Sequence, residues 1–294
     1  MSLGVLTNVA AINAENSLNQ TQNSLNTVLQ QLSSGSRINS GADDAAGLSV
    51  SDGLAANEAA LSQSAQNAQN GVGLLQTADG DLSQVTNLLD RAVTLATEAQ
   101  NGGLTAAQST AADTEFQSIV AEIGNIGTAT NFNSTNVFSG TATNFVVTDG
   151  TTAGTTTIAA TVGALTTASV GVTTTDAGGG GTTSITTAAG EDLSTLDLTS
   201  AANAKTALTA VTTAIADVSA QRGSIGADIN QLNAAANVAS SENVNLSSAQ
   251  SSILATNFGQ ATSDLAKFQV LNQTGISALA QANSTQQEIL KLLQ

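Results

Sequence analysis

The chain has 294 residues, with 22 acidic and 6 basic side chains giving a net charge of −16, and it lacks Pro, Cys, His, Trp and Tyr. Without Cys and His there are no disulfides, few routes to a transition-metal site and none of the usual nucleophile–base pairs. So few cations exclude a protein that grips a phosphate backbone. The apolar 41% is almost entirely small or aliphatic, which with the absence of Pro favours long, closely packed helices over one bulky core.

The opening Met1-Ser2-Leu3-Gly4-Val5-Leu6-Thr7-Asn8 has no basic n-region and no continuous apolar stretch, so it is not read as a cleaved secretory signal. Nowhere is there an apolar run of the roughly eighteen residues that a membrane span needs. Residues 3–34 read as an amphipathic helix that Gly35 stops. Leu18, Leu25 and Leu32 recur every seven residues, with Ala14, Thr21 and Val28 as a second row. Such a seam needs a partner to bury it. The polar face is Asn, Gln, Ser and Thr, which are mediocre helix formers, so this arm takes its order from packing.

Residues 36–47 form a polar connector, within which a helix begins near Asp43 or Asp44 and runs to about Thr97, with a weak point expected at Gly71-Val72-Gly73. Its stripe is Ala78, Leu82, Val85, Leu89, Ala92 and Ala96. Asn101-Gly102-Gly103 ends it, and a helix over about 105–127 with Phe116, Ile119, Val120, Ile123 and Ile126 folds back antiparallel. From Asn131 the period changes. Phe145–Thr148 and Thr155–Val162 read as two strands around Asp149-Gly150, Val170–Thr173 as a further short strand, and Asp176–Gly181 as an exposed loop. The glycine run is not a phosphate loop, because no Lys follows it. Helix resumes near Ser200 with Leu208, Val211, Ile215, Val218, Ile225, Ile229 and Leu232, and another helical segment runs from about 246 to the end with an irregularity at Gly275. There, Leu254, Phe258, Ala261, Leu265 and Phe268 alternate spacings of four and three. The Asn-x-Ser/Thr triplets at Asn133, Asn245, Asn272 and Asn283 are what chance places in such a composition.

Two blocks carry a resemblance. Leu32–Ser40 with Asp43-Asp44-Ala45-Ala46-Gly47-Leu48 resembles the N-terminal block of bacterial flagellins, and Val218–Ala227 with Gly275–Asn283 is similar to their C-terminal block. The similarity covers roughly 1–140 and 195–294. It implies a mainly α fold of long antiparallel helices with paired N- and C-terminal coiled-coil arms, plus a small β-hairpin region in mid-chain. The domains expected are 1–40 with 255–294 as the arm domain, 41–140 with 199–254 as a helical domain, and 141–198 as a small outer β region. The function implied is a subunit that polymerises into the flagellar filament, located outside the cell and exported without a cleaved signal peptide. Alternatives are a hook–filament junction protein and a flagellin-like chain with a grafted enzyme. The latter is poorly supplied, since 141–198 holds only Asp149, Asp176, Glu191, Asp192 and Asp197 as acids. No catalytic, metal or cofactor site is expected.

The partners implied are many copies of the same chain, an export chaperone, cap and junction proteins, and a Toll-like receptor; no nucleic acid or membrane partner is expected. Assembly contacts are assigned to Leu18, Leu25, Leu32, Arg37, Asp43, Asp44, Arg222, Leu265, Phe268 and Leu279. Arg37 and Arg222 are rare cations read as bonding acidic partners, and Asp43 and Asp44 as helix-start carboxylates or subunit contacts. Leu89, Arg91, Leu95 and Glu115 match the receptor-facing surface of the family. Departures are equally clear: Asp90, Val93 and Thr94 differ from that surface, Gly41-Ala42 lacks a common Lys, and Ile253–Phe258 lacks an acidic patch. Losing a cation and an anion weakens a charge-complementary interface.

Overall fold

The computed structural model describes residues 8–148, 157–171, 174–175, 186–187 and 190–292. They form long α-helices with small two-stranded antiparallel sheets, divided into two compact units: Met1–Ala56 with Asn245–Gln294, and Asn57–Val244. Helix α1 spans Val9–Ser34, α2 Ala45–Ala99, α3 Ala106–Ala129, α4 Ala201–Leu254 and α5 Phe258–Leu292. The division falls inside α2 and α4, which contribute turns to both units.

The 57–244 unit is an antiparallel assembly of α2, α3 and α4. The α2 stripe Leu75, Ala78, Leu82, Val85, Leu89, Ala92 and Ala96 is fully buried against Phe116, Val120 and Ile123 of α3 and Val211, Val218, Ile225 and Leu232 of α4. Thr105 and Gln108 form a reciprocal capping box that starts α3, satisfying donors a helix start otherwise leaves open. On α4 the innermost row is Ala204, Ala207, Val211, Ala214, Val218, Gln221, Ile225, Asp228 and Leu232. The larger Leu208, Ile215 and Ile229 sit half-buried beside it. Small residues on the deepest line let the helix axes approach closely.

The weak point expected at Gly71 and Gly73 does not exist, because α2 passes through both without interruption. A Cβ at Gly71 would meet Leu232 Cδ1 at 2.9 Å and the Phe145 ring at 3.1 Å, and one at Gly73 the Phe132 ring at 3.6 Å. At Gly71 the missing side chain makes room for Phe145 and Leu232, while Phe132 lies over Gly73 at ordinary contact distance. Tertiary packing thereby offsets the helix-propensity cost of glycine, about 1 kcal/mol each.

Strands β1 (Asn131–Phe132) and β2 (Thr135–Asn136) form a hairpin that periodicity alone did not reveal. Its turn residues Asn133 and Ser134 have φ of 48° and 64°. A two-residue hairpin turn with both φ positive favours Asn-Gly, and here the second place holds Ser. Ser134→Gly is therefore expected to stabilise the unit by about 0.5–1 kcal/mol, read as a higher urea midpoint. Strands β3 (Ala142–Val146) and β4 (Thr157–Thr161) pair antiparallel with Phe145 opposite Ile158. The turn expected at Asp149-Gly150 lies outside the described residues, as does the Asp176–Gly181 loop. Where a strand was expected from Val170, the chain makes a single bridge from Val170 to Glu191 and turns at Gly171, φ 78°; Val172 and Thr173 are not described. Strands β5 (Thr174–Thr175) and β6 (Thr186–Thr187) complete the β region.

Candidate assembly site

In the other unit, α1 begins at Asn8, whose Oδ1 accepts from the Ala11 N–H, and ends at Gly35, φ 71°, whose N–H reaches the Gln31 carbonyl. Between these caps Ala11, Ala14, Leu18, Thr21, Leu25, Val28 and Leu32 are buried or half-buried, as are Ser24 and Gln31 beside them. On α5 the corresponding positions are Ala261, Leu265, Phe268, Asn272, Gly275, Leu279 and Ala282. Alternating steps of three and four define a heptad seam on each helix.

Three contacts fix their register. A Cβ on Gly35 would lie 3.8 Å from the Phe258 ring, a Cβ on Gly275 would lie 3.2 Å from Leu18 Cδ1, and Asn8 Nδ2 donates to the Ala282 carbonyl at 3.0 Å. The helices are antiparallel, with Leu18 set against Gly275. There a large residue meets one without a side chain, which allows close approach. The irregularity expected at Gly275 is absent; α5 is continuous there, and the glycine serves the seam instead. Phe258 has the right period but remains 56% exposed.

The junction of arms and helices corrects one reading. The helix expected from 246 onward is broken at Ala255–Asn257. Ser36 and Ala255 form an antiparallel bridge, the Arg37 N–H donates to Leu254 O at 2.6 Å, and the Thr256 N–H donates to Gly35 O at 3.0 Å. Asn257 Oδ1 then accepts from Gly259 and Gln260 and starts α5. Within the subunit, Arg37 Nη2 donates to the Ile253 carbonyl at 3.0 Å, at the end of α4, where a cation suits both the open carbonyls and the dipole. Arg37→Ala is expected to lower the stability of this junction by about 1 kcal/mol. Filament melting temperature and waveform are the measurements, and wild-type values for both would count against it.

Asp43 closes the turn before α2, its Oδ2 accepting from the backbone N–H groups of Asn39 and Ser40 and from the Ser40 hydroxyl. Those donors, Asn39 first, hold its carboxyl below the usual aspartate range. Asp44 Oδ1 accepts from the Gly47 N–H at 2.8 Å and so caps α2.

The remaining assigned residues belong to the 57–244 unit. Arg222 forms a forked bond to Asp79, at 2.7 and 3.4 Å, tying α4 to α2 and raising the arginine above its ordinary range chiefly through that hydrogen bond. The receptor-surface set is not one surface. Leu89 is 0% exposed and Leu95 2%, both in the core between α2 and α3. Only Arg91 and Glu115 reach solvent, and they satisfy each other at 2.7 Å, a hydrogen bond that lowers the Glu115 carboxyl. The period of α2 turns the leucines inward, because they share a face with Leu82 and Val85.

Periodicity also missed a second apolar set on the arms. Val9, Ile12 and Leu29 on α1, and Val270, Leu271 and Ile276 on α5, are exposed outside the seam. Among the described residues no group of three or more Asp, Glu, His or Cys could hold a metal ion, and no helix is long and apolar enough to cross a membrane.

These features define a helical protein whose two chain ends pair and leave further apolar residues uncovered. Family models agree with that class: the bacterial flagellin N-terminal helical region matches residues 5–143 and the bacterial flagellin C-terminal helical region matches 208–293. The chain is 30% identical over 286 residues to flagellin of Halalkalibacterium halodurans, and 32% identical over 304 residues to flagellin of Bacillus subtilis. Each alignment covers 97% of this chain and 98% of the relative. A crystal structure of Bacillus cereus flagellin aligns at a TM-score of 0.45 and 24% identity, covering 59% of this chain and 88% of that one. The chain belongs to the bacterial flagellin family. It is a structural subunit of the flagellar filament, a polymer of many copies.

Proposed function

We propose that assembly proceeds through the α1–α5 arm pair, each pair burying its uncovered apolar residues against the arms of neighbouring copies. The observation that carries this is the outward set Val9, Ile12, Leu29, Phe258, Val270, Leu271 and Ile276, left exposed after the seam is closed. Covering each such side chain is worth about 1.5–3 kcal/mol. Copies carrying a net charge of −16 repel one another, so added salt, which screens exposed charges, favours growth.

On this reading residues 1–40 and 255–294 act as the inner arm domain, 41–140 with 199–254 as the helical layer, and 141–198 as the outer β region. Leu18, Leu25, Leu32, Leu265, Phe268 and Leu279 contribute by holding the arm pair together. Arg37, Asp43 and Asp44 shape the junction, and Arg222 braces the helical layer. An export chaperone for the C-terminal arm, cap and junction proteins, and export without a cleaved signal peptide belong to the same reading, supported by family membership. A Toll-like receptor is the least supported partner, since of its four assigned residues only Arg91 and Glu115 are presented.

Negative-stain electron microscopy of the purified full chain at rising salt, with and without filament seeds, tests the proposal. Elongating filaments are expected. A protein that stays monomeric even when seeded would favour the hook–filament junction reading.

A further inference from the structure

Two Asn-Gly pairs occur in the chain, and the fold treats them in opposite ways. Asn70-Gly71 lies in the middle of α2, with Asn70 exposed and Gly71 buried. Asn101-Gly102 lies just beyond the end of the same helix, in a turn where the Asn101 N–H reaches the Glu98 carbonyl and the Leu104 N–H reaches the Asn101 carbonyl. Asn101, Gly102 and Gly103 are all exposed, and nothing lies within 4 Å of where a Cβ on either glycine would stand.

We propose that Asn101 is a site of spontaneous backbone-mediated deamidation, and that Asn70 is protected from the same reaction by its helix. In the first step the Gly102 backbone nitrogen, losing its proton to solvent, attacks Asn101 Cγ. A C–N bond forms, the bond from Cγ to Nδ2 breaks, and ammonia leaves a five-membered cyclic imide. Water then opens the imide at either carbonyl, giving aspartate or isoaspartate. No oxidant, enzyme or cofactor takes part.

The reaction needs the glycine nitrogen to swing towards the side-chain carbonyl of the preceding residue, which requires a freely rotating backbone and no Cβ in the way. Gly102 meets both conditions in an open turn. At Asn70 the following N–H is committed to the helix ladder. Gly71 is also pinned between Leu232 and Phe145, so a local opening of α2 must come first.

The product has a structural consequence. Each event places a new negative charge beside the C-terminal end of α2, where the helix dipole disfavours it. The isoaspartyl form also adds one carbon to the backbone at the corner between α2 and α3. An undisturbed filament thereby acquires a chemical record of its age at one defined corner.

The experiment incubates the full chain, as subunit and as filament, at neutral to mildly alkaline pH and follows both peptides by mass spectrometry and isoaspartate labelling. Conversion at Asn101 is expected to run at least about tenfold faster than at Asn70 in the folded subunit. Denaturant should bring the two rates together. Gly102→Ala, which has open space for its methyl group, should keep the fold and its circular dichroism while slowing conversion at Asn101 by about tenfold or more. Equal rates at the two sites in the folded chain, or a Gly102→Ala chain converting as fast as wild type, would overturn the proposal.

Discussion

Deleting residues 260–294 is expected to abolish filament growth while leaving the 57–244 unit folded. The deletion strips the covering helix from Leu18, Leu25, Val28 and Leu32, each worth about 1.5–3 kcal/mol when fully buried. Helix α1 cannot compensate, because its Asn, Gln, Ser and Thr residues have modest helix propensity and an isolated helix pays for its own nucleation. The helical unit keeps its own core of Leu75, Leu82, Phe116, Ile225 and Leu232. Seeded growth followed by electron microscopy, with thermal unfolding of the soluble chain, separates the two effects. Normal filaments from the truncated chain would remove the arm pair from its assigned role.

The second large effect is expected at Leu89. Leu89→Ala should destabilise the 57–244 unit by about 2–5 kcal/mol, because a fully buried leucine is replaced by a cavity that rigid helices fill only partly. Urea denaturation checks this directly. Arg91→Ala, at an exposed ion pair, should leave the midpoint close to wild type. A near-neutral Leu89→Ala would show that the side chain faces outward and would restore it to the receptor-facing set. Any receptor assay on Leu89 variants therefore needs the stability measurement beside it.

Much of this architecture was legible in the residues, and the exceptions have physical causes. The alternating three- and four-residue steps gave away α1, α2, α3 and the arm seam, since that spacing places side chains on one helical face. Gly35 marked the end of α1 because a left-handed residue is needed there. Hidden features depended on distant partners. The break at Ala255–Asn257 contains neither Pro nor Gly, and it is bridged to Ser36 and bonded to Gly35 at the opposite end of the sequence. Gly71 and Gly73 read as weak points until Leu232, Phe145 and Phe132 are seen packed on them. The β1–β2 hairpin was masked because Ser134 occupies a place where Gly would have announced the turn. Leu89 shows a different failure. Its own periodicity placed it beside Leu82 and Val85, and family likeness alone placed it on a surface; the periodicity agrees with the burial.

The bond from Asn243 Nδ2 to the Glu58 carbonyl, at 2.8 Å, has a bearing on the order of folding. It joins residues 185 positions apart, and closing a flexible loop of that length costs about 5 kcal/mol of chain entropy. Antiparallel pairing of α1 with α5 spans a still longer stretch and, attempted first, would incur that penalty for a marginal helix pair. Once α2 and α4 have come together, the contact from Gln250 to Ser51 and then the junction from Leu254 to Arg37 enlarge a loop that is already closed. The logarithm grows slowly, so each further step is nearly free of entropy cost. The arms therefore zip outward last, and the most non-local contacts in the chain form at the rate of local ones.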